Sequence, residues 1–300
     1  MTDRATPPVF LAPTEAIRLA APGQIVEITG DEARHALAAR RLRPGEPVEL
    51  VDGLGAFVTG SVVEGAPNRE GVGAAGTALV GQPAERDAER TRRRAPGRRD
   101  TGTATLQVSV EAAGVVAAPE PQVWVVQALA KGDRAEQAVE SLTEVGVDVI
   151  IPWSASRSVV QWHGERGAKA LQRWRRVAAE AGKQSRRRIF PVVRDLHSTA
   201  AVADLLAGAG TSPGPSVEAG SGAGYVLHEH ADDPFVPSAS RVNGPVVLIV
   251  GPEGGVTDAE LVAFASAGAK PVRLGPTVMR TSTAGTAAAA VALSALGRWG

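Results

Sequence analysis

The stretch Val246-Val-Leu-Ile-Val-Gly-Pro-Glu-Gly-Gly255, running straight into Val256-Thr-Asp-Ala-Glu260, sets the fold class. Five consecutive apolar residues without alternation read as a strand buried on both faces, the kind found in parallel sheets covered by helices. Gly-Pro-Glu-Gly-Gly then ends the strand, and Thr257 and Glu260 stand at capping-box spacing for a helix that begins at once. Glycines at such a turn let backbone amides approach a ligand closely, near the partly positive end of a helix. The loop is not a Walker loop, which ends in Lys-Ser/Thr, and it is not Gly-x-Gly-x-x-Gly. A tight strand-to-helix turn without a ligand fits the same residues.

Downstream the pattern repeats. A strand at Val272-Arg-Leu274 leads into Leu274-Gly-Pro-Thr-Val-Met-Arg-Thr-Ser-Thr-Ala-Gly285 and an Ala-rich helix. Two such loops at the carboxyl ends of strands in one sheet are where open α/β proteins bind ligands. Arg280 falls at the mouth of the last helix, where a cation opposes the helix dipole and calls for an anionic partner or a functional reason. Thr281 to Gly297 holds 17 uncharged residues, too few for a membrane span, and reads as a buried terminal helix.

Upstream, βα alternation begins after Pro119-Glu-Pro121. Strands are expected at Val123 to Leu129, Val147 to Ile151, Pro191 to Val193 and Gly224 to His228. Helices are expected at Asp133 to Val145, Ala168 to Ala181, Ala200 to Leu206 and Asp258 to Ala267. Before residue 121 the chain reads as β-structure. Gln24 to Ile28, Pro47 to Val51 and Ala56 to Val63 alternate, and Asp52-Gly53 signals a hairpin between the last two. A short helix from Asp31 to Arg41 and a strand from Thr105 to Val110 complete this part. The sequence therefore divides into residues 1–120, a small β domain, and residues 121–300, an α/β domain. The Gly/Pro/Arg-rich segment at about 65–103 has no apolar period and reads as a disordered insertion; Arg86 to Arg99 alone holds seven arginines and two acids. It is either a tolerated surface insertion or an arm that touches RNA. Gly208 to Gly224 reads as a loop.

Charge is even, with 32 basic and 32 acidic residues, and the basic set is 28 Arg and four Lys. A nucleic-acid surface must then come from clustering. Arg157 to Arg194 carries eleven basic residues against Glu165 and Glu180, with Trp153 and Trp162 inside or beside it. Such a run can bind phosphates while aromatics stack bases, or it can be a solvated helix face. The absence of cysteine excludes disulfides, thiolate zinc sites, iron–sulfur clusters and thiol nucleophiles. His35, His163, His197, His228 and His230 show no metal spacing beyond His228-x-His230, and no nucleophile elbow is present. Met1 to Ala12 has no signal-peptide pattern, so a soluble cytoplasmic protein is expected.

These motifs together resemble the RsmE family of SPOUT (trefoil-knot) methyltransferases, which act on N3 of a uridine in small-subunit ribosomal RNA. Besides the two glycine loops, the resemblance rests on Gln127-Ala-Leu-Ala-Lys-Gly-Asp133, Thr143-Glu-Val-Gly-Val147, Arg157-Ser158, Glu180-Ala-Gly-Lys-Gln-Ser-Arg-Arg187 and His35-Ala-Leu-Ala-Ala-Arg-Arg-Leu-Arg-Pro-Gly45. It implies a SPOUT-type knotted parallel sheet preceded by a PUA-like RNA-binding β-barrel, in a homodimer. It also implies S-adenosyl-L-methionine (AdoMet) as cofactor, held by His228, Gly251, Pro252, Glu253, Gly254, Gly255, Leu274, Gly275, Val278, Met279 and Arg280. Arg280, Glu253 and Arg157 become the catalytic candidates, with a structural role open for Glu253. Arg41, Arg43, Lys131, Arg157, Arg173, Arg176, Arg186 and Arg187 become the RNA-binding candidates. The partner implied is small-subunit RNA or the assembled 30S subunit, with no membrane and no metal. Ser282 replaces the family's usual Glu, Lys183-Gln184 replaces Glu-Gln, and the 65–103 insertion is longer than the usual link. Methylation of a ribose 2′-hydroxyl and a non-catalytic RNA-binding homologue remain the alternatives.

Overall fold

The computed structural model describes residues 6–63, 104–208, 223–237 and 244–299. The 65–103 insertion and most of the 208–224 loop lie outside the described residues. The N-terminal part contains β1 (Val9–Leu11), α1 (Thr14–Arg18), β2 (Ile25–Thr29), α2 (Asp31–Arg34) with a π-helical turn His35–Ala39, β3 (Pro47–Val51), β4 (Ala56–Val62) and β5 (Thr105–Val115). The five strands form a half-barrel in the order β1-β3-β4-β5-β2. Its core is one cluster that includes Phe10, Ile17, Ile28, Leu50, Val58, Leu106 and Val108. The expected hairpin is present, with Val51 opposite Phe57.

The C-terminal part contains β6 (Val123–Ala128), α3 (Arg134–Val145), β7 (Val149–Trp153), α4 (Gly164–Gln184), β8 (Val192–Val193), α5 (Thr199–Leu206), β9 (Ala223–Leu227), β10 (Val246–Val250), α6 (Asp258–Ser266), β11 (Lys270–Val272) and α7 (Thr281–Ala295). Six parallel strands run in the order β11-β9-β10-β6-β7-β8. Period-two side-chain alternation divides each apolar run between two cores. Val123, Val125, Val246, Leu248 and Val250 face the cluster that holds Leu142, Trp174 and Ala288. Trp124, Val126, Val247 and Ile249 face the opposite cluster with Trp153, Val202 and Phe264.

Small residues let α7 lie close to the sheet. A Cβ on Gly285 would stand 3.2 Å from Val250 Cγ2 and 3.3 Å from Gln127 Oε1, and Ala288, Ala289 and Ala292 are fully buried. The end of this helix is tied down by Arg298, which pairs with the buried Asp148 through both guanidinium NH groups, and Asp148 also accepts the Val123 N–H at 2.8 Å.

The two parts meet along residues 183–190. Phe190 N–H donates to Gly53 O (2.8 Å) and Gly55 N–H to Arg188 O (3.1 Å), both across the β3–β4 turn. Gly55 has φ +112, and a Cβ there would lie 2.5 Å from Val116 O, so the turn needs glycine for conformation and for space. Arg188 pairs with Glu49 at 2.6 Å and lies 3.5 Å over the Phe57 ring, and the buried Lys183 pairs with Glu32 at 2.7 Å.

Several expected boundaries move. β5 extends to Val115 because β4 pairs with it as far as Ala56 opposite Val115. β11 stops at Val272, where its partner β9 ends at Leu227. α4 gains residues at both ends, and β7 starts at Val149. The helix expected to reach Arg41 ends at Ala39, and Gly30 occupies its cap position. Strand β1 and helix α1 carry no periodic signal; β1 exists because Val9–Leu11 pair with Glu49–Val51.

Replacing Asp148 with Ala leaves Arg298 and the largely buried Arg187 without their counter-charge. Breaking a buried pair in this way should lower the unfolding free energy by about 3–5 kcal/mol, measured by urea denaturation at neutral pH.

Candidate active site

Loop 251–255 leaves the carboxyl end of β10 and wraps tightly. A Cβ on Gly251 would stand 2.7 Å from Val256 Cγ2, and one on Gly254 would stand 2.9 Å from Arg157 Cβ. Gly255 has φ +74 and closes the turn by donating to Pro252 O at 2.9 Å. The capping box is present: Glu260 N–H donates to Thr257 Oγ1 (3.3 Å), and Thr257 N–H and Oγ1–H donate to Glu260 Oε2 (2.9 and 2.8 Å). The other oxygen, Oε1, accepts from Ser156 N–H at 2.8 Å and Thr199 Oγ1 at 3.2 Å. Burial alone would raise the Glu260 pKa, but the hydrogen bonds from Ser156 and Thr257 outweigh it and hold the carboxyl below its ordinary value.

The second loop, residues 274–280, starts beside segment 233–235, with Arg273 N–H donating to Asp233 O at 2.8 Å and Phe235 N–H to Arg273 O at 2.9 Å. Beyond that point the N–H groups of Leu274, Gly275 and Thr277 to Arg280 find no acceptor among the described residues. Val278 is 80% exposed and Met279 41% exposed, and a Cβ on Gly275 would meet nothing within 4 Å. The segment therefore presents unpaired backbone donors beside an apolar surface, which is the make-up of a small-molecule site. Arg280 is exposed at the N-cap position of α7.

The two loops are joined by Thr281, whose hydroxyl donates to Gly251 O at 2.6 Å. Gln127, fully buried at the end of β6, directs Nε2 at Ala128 O (3.3 Å) and Thr281 O (3.5 Å), while its Oε1 has no partner among the described residues. Glu253 accepts the Lys131 N–H at 3.4 Å and faces Arg134 at 3.6 Å, so its carboxylate holds loop 251–255 against the β6–α3 connection. Arg157 Nη1 donates to Gly254 O at 3.1 Å. His228 N–H donates to Val272 O at 3.0 Å, and its ring meets His230 edge-on at 5.7 Å. Pro252 is buried, and Leu274 packs on the α/β core. Thus the Gly251–Gly255 loop, Lys131, Arg157 and the start of α7 converge at the carboxyl ends of the central strands.

Part of the basic run is absorbed by the fold. Arg187 is a correction to the RNA-facing set: its side chain is largely buried and donates to Thr143 O and Val147 O, both at 2.8 Å, and to Ile189 O at 2.9 Å. Burial pulls its pKa down to about 10, still charged at neutral pH. Arg173 pairs with Glu136 at 2.6 Å, Arg175 with Asp195 at 2.8 Å, and Arg194 lies 4.4 Å over the Trp124 ring. Trp153 is fully buried and Trp162 packs edge-on against Trp174, so neither is a base-stacking platform. Arg157, Arg166, Lys169, Arg173, Arg176 and Arg186 remain exposed. Arg186 and Arg41 are the non-glycine residues with left-handed backbone among those described, at φ +58 and +55. Arg186 helps line a cleft of about 350 Å³ between the half-barrel and the end of α4, opposite His35, Arg40 and Leu42. Arg43 is exposed nearby in sequence.

Three contacts escape motif reading, although the residues lie in the motifs: those of Gln127, of the Thr281 hydroxyl and of Glu260 Oε1. Gln127 leaves a trace, a polar residue interrupting an apolar strand. The partners of all three are long-range. Among the described residues, no group of three or more His, Cys, Asp or Glu could hold a metal ion, and no helix is long and apolar enough to cross a membrane.

Comparison with known proteins adds three findings. The family described as RNA methyltransferase domain matches residues 118–293. A ribosomal RNA small subunit methyltransferase E of Mycobacterium bovis is 38% identical over 92% of this chain and 89% of its own length, and the Bacillus subtilis protein of the same name is 31% identical over 54% and 62%. The crystal structure of a ribosomal RNA small subunit methyltransferase E from Neisseria gonorrhoeae, bound to S-adenosyl methionine, superposes with a TM-score of 0.68 over 96% of this chain and 97% of that one, at 23% identity.

Thr281→Val keeps the side-chain shape and removes the hydrogen bond to Gly251 O. It should cost about 1–3 kcal/mol of unfolding free energy by leaving a carbonyl unpartnered, read from denaturant midpoints. The lowered Glu260 pKa contributes stability above its ordinary value, and that contribution disappears as pH falls through the folded value. Thermal midpoints should therefore decline from pH 5 toward pH 3, and Glu260→Gln should show a shallower decline.

Proposed function

Because the chain belongs to the ribosomal RNA small subunit methyltransferase E family, we propose that it transfers a methyl group from AdoMet to N3 of a uridine in small-subunit ribosomal RNA. The observation that carries this reading is the Thr281-joined pair of loops, with free backbone donors and exposed Val278 and Met279 on one side and Arg280 at its mouth. These residues fit AdoMet: the N–H groups of 274–280 suit its adenine and carboxylate acceptors, the apolar side chains suit its ring and methionyl chain, and Gly275 leaves room for both. When bound, AdoMet supplies an electrophilic methyl on a sulfonium centre.

The chain's own task is to make the nucleobase nucleophilic. The uracil N3–H loses its proton roughly two units above neutral pH, so forming the anion costs about 3 kcal/mol at ~1.36 kcal/mol per unit. A fixed cation beside O2 or O4 offsets that cost, because it meets charge that develops only as the proton leaves. Arg280 takes this role: it is exposed, and its backbone is anchored through Thr281. Arg157 is the second cation, with one NH committed to Gly254 O and the rest of its fork available. Glu253, engaged by Lys131 N–H and Arg134, serves to hold the loop. As the N3–methyl bond forms, the sulfur–methyl bond breaks and the N3 proton passes to water.

Residues 1–120 act as the PUA-like RNA-binding domain and residues 121–300 as the methyltransferase domain. Arg41, Arg43, Arg186 and Arg176 serve as phosphate contacts, either to free RNA or to the 30S subunit. The exposed Val278 and Met279 beside the site suit a homodimer whose partner completes the pocket. The substrate places the protein in the cytoplasm.

Mass spectrometry of nucleosides from small-subunit RNA tests the reading. Cells lacking the protein should lack 3-methyluridine, the wild type should restore it, and Arg280→Ala should not. In vitro, Arg280→Ala should lower kcat by about 10²–10³-fold while calorimetry shows AdoMet affinity within about threefold. Persistence of 3-methyluridine in the null strain would overturn the N3 assignment, and a ribose-methylated nucleoside in its place would redirect it.

A further inference from the structure

We propose that Glu260 is a positioning residue: it registers the Arg157 loop on the Gly251–Gly255 loop, beyond its duty as a helix cap. The proposal rests on the methyltransferase reading only where turnover is measured. A capping-box carboxylate needs just one oxygen for its own helix. Here Oε2 does that work, accepting from Thr257, while Oε1 reaches out of α6 to Ser156 N–H at 2.8 Å and Thr199 Oγ1 at 3.2 Å. One buried carboxylate, 2% exposed, thus joins α6 to the β7–α4 loop and to the start of α5, residues 104 and 61 positions away.

What it grips is the turn that carries Arg157. Ser158 N–H donates to Ala155 O at 3.0 Å, closing a β-turn over residues 155–158 with Ser156 and Arg157 at its centre. On the far side of that turn Arg157 Nη1 donates to Gly254 O at 3.1 Å, and the backbone is so close that a Cβ on Gly254 would lie 3.1 Å from Arg157 O. The turn is therefore held at two points, and both holds end on the segment 254–260. Losing the Ser156 hold frees the turn to swing about the Gly254 contact. Arg157 then lies at variable distance from a bound nucleobase, and a charge stabilises an anion in proportion to how well its position is fixed.

The geometry supplies a discriminating variant. Ser156 occupies the second position of the turn, which proline favours. Ser156→Pro thus deletes the N–H that Glu260 holds while leaving Glu260, Thr257 and α6 untouched. Thr257→Ala does the converse, removing a helix cap without touching the turn.

The experiment compares the full-length wild type with Glu260→Gln, Ser156→Pro and Thr257→Ala. Amide exchange at Ser158, whose N–H closes the turn, without any ligand, and kcat and KM for AdoMet are measured in parallel. Glu260→Gln and Ser156→Pro should each speed exchange of this turn about tenfold or more and lower kcat about tenfold, with KM for AdoMet within about threefold. Thr257→Ala should lower the thermal midpoint while leaving exchange of the turn and kcat near wild type. Equal effects of Thr257→Ala and Ser156→Pro, or unchanged exchange in Ser156→Pro, would overturn the proposal and leave Glu260 as a cap alone. A wild type that transfers no methyl group would count against the proposed reaction, and the exchange data would still decide the role of Glu260.

Discussion

The hydrogen bond from Thr281 Oγ1 to the Gly251 carbonyl, 2.6 Å long, joins the two loops of the candidate site directly. Each loop is irregular backbone at the end of a strand, and β10 and β11 are not neighbours in the sheet, since β9 lies between them. Irregular backbone stays put only when its polar groups are paired. Thr281 pairs one of them and places the start of α7 at the same time, so Arg280 acquires a defined backbone position from its neighbour. Gln127 reaches the Thr281 carbonyl from the opposite side, which puts β6, β10 and α7 around a single residue.

This arrangement explains why the terminal helix is built from alanine. An ordinary amphipathic helix would pack at the distance its Leu and Ile side chains dictate. α7 instead has to bring Thr281 within hydrogen-bonding distance of Gly251, and Gly285, Ala288, Ala289 and Ala292 allow that approach against β10 and β6. The cost is a thinner apolar layer. Packing of α7's own Leu293 in one cluster with Leu142 of α3, and the Arg298–Asp148 pair at its end, compensate.

The same principle governs the basic residues. Guanidinium groups with five donors are well suited to tying loops through carbonyls, and Arg187, Arg175 and Arg298 do so here. Part of the charge counted along the chain is therefore spent inside the fold and not on its surface. Charged residues hold residues 183–190 between the half-barrel and the sheet, while Arg157, Arg166, Lys169, Arg173, Arg176 and Arg186 from that run stay exposed. The left-handed backbone of Arg41 and Arg186 marks the places on either side of that junction where the chain accepts strain.

The parallel sheet, the two glycine loops and the capping box of α6 were legible in the sequence because each depends on residues within one turn or one strand of each other. Val246–Val250 can bury both faces only in a covered sheet, and Gly254 can be replaced by nothing larger beside Arg157. The half-barrel strand at Val9–Leu11, the burial of Arg187, the partners through which Glu253 holds its loop and the second reach of Glu260 were not legible. Each is set by a partner dozens of residues away, and a single sequence records the donors and acceptors without recording which of them meet. What the chain alone determined is the inventory of the site; tertiary packing decided which members of it are tied down and which remain free to meet a ligand, because hydrogen bonds and ion pairs depend on distance in space and not on distance along the chain.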